Sequence, residues 1–274
     1  MTTKREKRVN GIIFAGLMLL AVIYILPIIM MVLGSLKDQA QAGMFNLRLP
    51  SVWKFDNYLY VIKKGKILSG YRNSLLITVP ATALSILCGA FAGIVLSRRK
   101  GKSAGALYYY FIFGLTITLQ IAATFAMFKV LGIYGSMFSV ILMFAALRLP
   151  FTVMTFCSFV KSVPQEIDEA AHMDGCNFLQ LVFHILFPVM KPILVTNIVV
   201  SAIDIWNNFM IPLFYLPGTK NTIPLTIYNF YGQYARDWQY VFCALTLTIL
   251  PMLILFLVLQ KYIVEGMVAG SVKG

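Results

Sequence analysis

Residues 161–192 read KSVPQEIDEAAHMDGCNFLQLVFHILFPVMKP, the only sizeable hydrophilic stretch of the chain that combines helical patterning with several acids. Ser162, Pro164 and Gln165 carry a helix-start signal: a serine that can cap, a proline tolerated in the first turn and a glutamine placed for a capping box. Glu166, Asp168 and Glu169 put acids in the early turns, where they complement the positive end of the helix dipole. Gly175 supplies the residue tolerant of left-handed backbone that ends the helix. Ala170 and Ala171 let another backbone approach closely, and Ile167 and Met173 add apolar contact beside them. Two readings fit this pattern: a docking surface for a partner, or an ordinary amphipathic helix in a cytoplasmic loop.

The rest of the chain is far more apolar. Hydrophobic residues make up 59% of its 274 positions and charged residues only 12%, with a mean hydropathy of +0.81. Soluble domains carry about 25% charge, so water is not its main solvent. The net charge of +13 does not point to nucleic acid, because Lys and Arg sit between apolar runs rather than on one basic face with interleaved aromatics. Cys88, Cys157, Cys176 and Cys243 are widely separated and form neither a zinc spacing nor a disulfide framework.

A bilayer core about 30 Å thick needs roughly 20 apolar residues in a helix. Residues 11–36, 73–97, 103–128 and 238–260 meet that need. Residues 130–160, interrupted by Arg148 and Pro150, and 192–217, interrupted by Asp204 and a polar group around Trp206, complete an expectation of six spans. The first stretch is too long for a cleavable signal and reads as a retained, peripheral span. The expected architecture is an all-α, polytopic membrane protein forming a single domain over residues 1–274, with a permease core at about 70–265, a cytoplasmic loop at 161–191 and a tail at 261–274. Six spans put both termini on one face with Arg98, Arg99, Lys100 and Lys102, and the basic Lys4, Arg5, Lys7 and Arg8 make that face cytoplasmic. The charge rule is blunted by Lys37, Arg48, Lys54, Lys63, Lys64, Lys66 and Arg72 in the first outer loop, so residues 161–191 carry the topology.

Glu169, Ala170, Ala171 and Gly175, followed by Ile185 and Pro188, resemble the EAA motif of bacterial ABC importer permeases, with Phe187 where that family usually has Leu. The string PQEIDEAAHMDG is similar to the carbohydrate branch, typified by the smaller permease of maltose-type systems. Trp206, Asn207, Asn208, Phe209 and Pro212 resemble its Trp-Asn-Glu-Phe pattern, with Asn208 replacing Glu, and residues 232–274 resemble its terminal span and tail. The resemblance implies that the loop helix inserts into a groove on a cytosolic ATPase through Asp168, Glu169, Ala170, Ala171, Met173, Asp174 and Gly175. It implies a tail contact with the ATPases near their interface at Glu265, Gly266, Gly270 and Lys273. Gly266 and Gly270 favour an irregular chain close to a partner surface, and the alternative from composition alone is a frayed terminus.

The resemblance further implies a second homologous permease, two cytosolic ABC ATPase subunits, an external solute-binding protein and a place in the bacterial cell membrane. No cofactor is expected on this chain, ATP and Mg being held by the ATPases, and the solute is expected to be a carbohydrate or another polar solute. Within the bilayer, Asp204 costs about 2.5–3.5 kcal/mol at the centre, so it faces protein or a watery path. Asn207 and Asn208 can hydrogen-bond a polyhydroxylated solute and Trp206 can stack on a sugar ring, or all three bind helices together. Gln120 is a further path candidate, and Arg148 either pairs with Asp204 or snorkels. Gly89 and Gly93 form a GxxxG pair suited to close helix packing.

Rival readings find little in the residues. Gly101, Lys102 and Ser103 end like a phosphate-binding loop, but Leu96 occupies the position of its first glycine. His172 and His184 are isolated, so a zinc protease within the membrane lacks its HExxH. A gradient-driven carrier would show duplicated halves, and none is visible.

Overall fold

The computed structural model describes residues 4–218, 220–232 and 237–271, with side chains for 9–218, 220–232 and 237–262. No extended strand forms among the described residues. In chain order the helices are α1 (Lys4–Ser35), α2 (Gln39–Ala42), α3 (Asp56–Lys64), α4 (Ile67–Arg98), α5 (Lys102–Gly114), α6 (Ile121–Val130) and α7 (Met137–Lys161). They continue as α8 (Glu166–Met173), α9 (Phe178–Gln180), a π-helical turn (Leu181–Leu186), α10 (Phe187–Val189), α11 (Lys191–Asn207), α12 (Met210–Tyr215) and α13 (Trp238–Ser271).

Four helical stretches are long and apolar enough to cross a bilayer: Val9–Ser35, Ile67–Arg98, Met137–Lys161 and Trp238–Tyr262. A fifth crossing is made if Phe178–Val189 and Lys191–Asn207, bent by 81° at Met190, count as one span. The expected continuous span at 103–128 does not form, because α5 ends at Gly114 and α6 starts at Ile121. Between them lie Thr116, Ile117 and Thr118, β-branched residues that crowd a helix. Thr116 Oγ1 donates to the Phe113 carbonyl at 2.8 Å, helping to close α5. The expected run at 192–217 breaks too: α11 stops at Asn207, Asn208 is extended, and its Oδ1 accepts from the Ile211 amide at 3.0 Å to start α12.

The tail also departs from expectation. Its backbone is helical through Ser271 rather than irregular. A glycine costs a helix only about 1 kcal/mol, too little for Gly266 or Gly270 to stop one already 28 residues long. The side chain of Glu265, and Lys273 altogether, lie outside the described residues.

The chain divides into two compact units. The first comprises Met1–Leu68 and Leu225–Leu250. Within it, Val9–Ser35 has a mean hydropathy of 2.9 and no buried residue in its most apolar window, so its surface suits lipid or another apolar chain. Polar bonds close the end of α1: the Asn57 amide donates to the Ser35 and Lys37 carbonyls, both at 2.9 Å, and the Cys243 thiol donates to Ser35 O at 3.2 Å. Lys37, just beyond the span, is only 2% exposed and donates to Asn46 O and Oδ1 at 2.8 and 3.0 Å. Burial pushes its ammonium below the usual lysine range.

The second unit comprises Ser69–Pro224 and Pro251–Gly274. Lipid tails are as apolar as Leu, so close backbone approach and interhelical hydrogen bonds hold membrane helices together. Both devices join α4 to α7. A Cβ on Gly93 would lie 2.7 Å from Phe156 Cβ and 2.8 Å from the Cys157 amide nitrogen, and one on Gly89 would lie 2.6 Å from Thr152 Cβ. Thr152 Oγ1 donates to Ser85 O at 3.1 Å, and Thr155 Oγ1 donates to Asn197 Oδ1 on α11 at 3.0 Å. One apolar cluster, with Ile86, Ala90 and Ile94 of α4, Phe156 and Val160 of α7, and Leu186 and Met190, lies under the 161–192 loop. Another, around Ile77, Phe144, Ile205 and Tyr215, gathers α4, α7, α11 and α12, and the Tyr215 hydroxyl donates to Ile121 O at 2.9 Å to anchor α6.

Candidate functional site

The loop that follows α7 is punctuated differently from its sequence pattern. Ser162 is not the cap of α8. It lies in right-handed helical backbone as the residue that caps the end of α7, and its hydroxyl donates back to Phe159 O at 2.7 Å. Gln165 precedes α8 with no side-chain capping bond. A cap needs extended backbone, and the few residues after Lys161 are used in finishing α7. A capping box does form further on: Asn177 Oδ1 accepts from the Gln180 amide at 2.9 Å, and Gln180 Oε1 accepts from the Asn177 amide at 2.8 Å.

Gly175 ends α8 as expected. At φ +77° it lets the Cys176 amide reach Ala171 O and its own amide reach His172 O, both at 3.0 Å, which closes a Schellman motif. The helix therefore has two faces. Ala171, 3% exposed, packs into the cluster of Phe156, Val160 and Leu181, and Ile167 is half-buried on the same side. Glu166, Glu169, Ala170 and Met173 form an exposed stripe at helical spacing, with Met173 89% exposed. Of the two alanines, only Ala170 is open to a partner. Asp174 and Gly175 are exposed at the helix end, and Phe178 and Leu179 add bare apolar surface beyond it.

Asp168 points the other way from Glu169. Its carboxylate accepts from Arg98 Nε at 2.7 Å and Arg98 Nη2 at 3.2 Å, while Arg98 Nη1 donates to the Val160 and Val163 carbonyls at 3.1 and 3.0 Å. Sequence reasoning missed Arg98, since a cation beside Arg99, Lys100 and Lys102 reads as a membrane flank. The nearest signal was an acid on the first turn of α8 with no Lys or Arg within four residues of it.

A second polar site lies within the membrane-spanning helices. Arg148 Nη1 stands 3.2 Å from Asp204 Oδ2 across α7 and α11, and the guanidinium also lies 5.3 Å from the centre of the Phe151 ring. The pair lines an open cavity of about 600 Å³ with Asn207, Asn208, Phe209 and Met210. Asp204 presents 52% of its side chain and Arg148 18%, so the carboxylate faces the cavity more fully than its partner. Asn207 is exposed, whereas Asn208 is half-buried and committed to the Ile211 amide. Trp206 is elsewhere: it is 1% exposed, with its ring 6.1 Å from that of Tyr71. Gln120 sits in the break before α6 and is not among the lining residues.

Residues 85–268, which contain both sites, match the family described as binding-protein-dependent transport system inner membrane component. The chain is 33% identical over 265 residues to the probable ABC transporter permease protein YurM of Bacillus subtilis, covering 96% of this chain and 87% of that one. It is 31% identical over 282 residues to the multiple sugar-binding transport system permease protein MsmG of Streptococcus mutans, covering 98% and 100%. The crystal structure of a bacterial ABC transporter involved in the import of the acidic polysaccharide alginate shares the fold, with a TM-score of 0.79 over 96% of this chain and 99% of that one at 23% identity.

Proposed function

We propose, from the premise that the chain belongs to the binding-protein-dependent transport system inner membrane components, that it forms half of the path by which an ATP-driven importer takes up a carbohydrate. The observation that carries this reading is the two-faced α8: one side is seated on the chain's own core, and the other offers Glu169, Ala170 and Met173 to solvent. In this reading a cytosolic ATPase receives that stripe. Glu169 pairs with a basic group of the ATPase, Ala170 permits close backbone approach, and Met173 with Phe178 and Leu179 fills an apolar groove. ATP and Mg are held by two such ATPases, and an external solute-binding protein and a second permease complete the assembly.

Six spans are then α1, α4, the broken pair α5 and α6, α7, the pair α11 and α12, and α13, with both termini on the cytoplasmic side of the membrane. An Asn-Asn turn at the end of α11 and an acid in its last turns suit a path for neutral, hydroxyl-rich solutes. Asp204 and Asn207 offer acceptors and donors on the cavity wall, and the relative named for multiple sugars supports the same class.

The test is uptake into liposomes carrying the complete assembly, with ATP supplied at the nucleotide-binding side and ionophores present. Uptake of labelled oligosaccharide is expected to need ATP and the binding protein and to survive the ionophores. Uptake that stops with the ion gradient while ATP remains would make the chain a gradient-driven carrier. Asp204→Asn is expected to leave folded yield unchanged, since the amide oxygen still accepts a hydrogen bond from the mostly buried Arg148. The same substitution is expected to alter the KM for uptake, measured across a series of oligosaccharides. An unchanged KM for every sugar would remove Asp204 from the path.

A further inference from the structure

Arg98, the last residue of α4, spends almost all of its hydrogen-bonding capacity inside the chain. A guanidinium has five N–H groups, and four bonds are made here, two to Asp168 and one each to the Val160 and Val163 carbonyls. Val160 lies in the last turn of α7 and Val163 two residues beyond it, where a cation complements the helix dipole. Asp168 lies in the first turn of α8, and the ion pair is only 16–17% exposed. One planar group thus joins α4, α7 and α8, with little left to offer an outside partner.

We infer that Arg98 is a positioning residue that makes α8 move as one body with the cytoplasmic ends of α4 and α7, and so converts ATPase motion into motion of the spanning helices. The inference rests on the docking role proposed for α8 and adds how the displacement passes onward. Two attachments hold this eight-residue helix on its inner side. Ala171 and Ile167 supply a small apolar contact that tolerates sliding, whereas a bidentate guanidinium–carboxylate pair fixes direction as well as distance. The docking stripe and the clamp lie on opposite sides of α8, so loss of Arg98 leaves Glu169, Ala170 and Met173 free to engage the ATPase. Lysine cannot replace the fork, because a single ammonium does not match a carboxylate and two carbonyls in one plane.

The experiment uses the complete assembly in liposomes and records ATPase copurification, ATP hydrolysis and solute moved per ATP. For Arg98→Gln, copurification and hydrolysis are expected to persist while solute per ATP falls about fivefold or more, the lower range of coupling between distant sites. The charge exchange Arg98→Asp with Asp168→Arg is expected to recover part of the ratio, which a simple loss of folding stability would not do. An unchanged ratio in Arg98→Gln overturns the inference, as does a lowered ratio that the exchange fails to raise. If Arg98→Gln does not accumulate, Arg98→Lys is read in its place: a lowered ratio supports the clamp and a normal one overturns it. Absence of any ATPase next to α8 in the unaltered assembly would instead refute the docking role, a failure distinct from that of the clamp.

Discussion

Gly93→Leu is expected to abolish accumulation of the folded chain. A side chain at this position meets the Cys157 backbone nitrogen and Phe156 Cβ rather than the movable end of a neighbour. The collision is relieved only by separating α4 from α7, at a cost of about 1–3 kcal/mol for overpacking alone. Separation also stretches the bond from Thr152 Oγ1 to Ser85 O and opens the cluster beneath α8. Gly105→Leu is the control, since nothing lies within 4 Å of a Cβ placed there. The measurement is monodisperse yield after extraction from the membrane. A Gly93→Leu chain that accumulates and melts like the unaltered one would refute the close crossing of α4 and α7.

Glu169→Arg is expected to leave folding untouched and to remove ATPase association, with uptake lost in consequence. Truncating one partner of a hydrogen-bonded charge pair at an interface costs about 2–5 kcal/mol, or roughly 30-fold to several-thousand-fold in affinity, and reversing the charge adds repulsion. Glu169 is exposed, and its carboxylate makes no hydrogen bond or ion pair among the described residues, so the thermal midpoint of the isolated permease is expected to stay put. Gly175→Leu acts on the same site more weakly, because left-handed backbone costs a side chain about 1–2 kcal/mol. Copurification measured for both variants checks the order. Intact association in Glu169→Arg would take the docking role away from this face of α8.

Much of the fold was readable because bilayer solvation imposes a coarse rule. A run of twenty or so apolar residues has few alternatives to a helix: residues 73–97 and 238–260 lie within helices, and so does 11–36 up to Ser35. Gly175 was readable because few residues accept its backbone, and the Arg148–Asp204 pair because a charge inside a span needs an opposite one. The break between α5 and α6 was hidden: residues 115–120 contain no proline and no charge, and hydropathy does not register a turn made of apolar and β-branched residues. The start of α8 misled because Ser162 fits a cap equally well at either end of a short connection. The inward side of α8 was hidden for a different reason. Helical spacing separates Asp168 from Glu169 by about 100°, but which of the two meets the chain's own core depends on Arg98, seventy positions away.

The 81° elbow at Met190 sets two arms at nearly right angles. The arm from Phe178 to Val189 is about 18 Å long and the 17-residue α11 about 25 Å. If the elbow stays stiff, tilting the first arm by about 10° swings the far end of the second, where Asp204 and Asn207 sit, by about 4 Å. A small rocking of the loop beside Ala171 is thereby geared up into a sideways stroke of several ångströms at the cavity wall, with no residue in between needing to unfold.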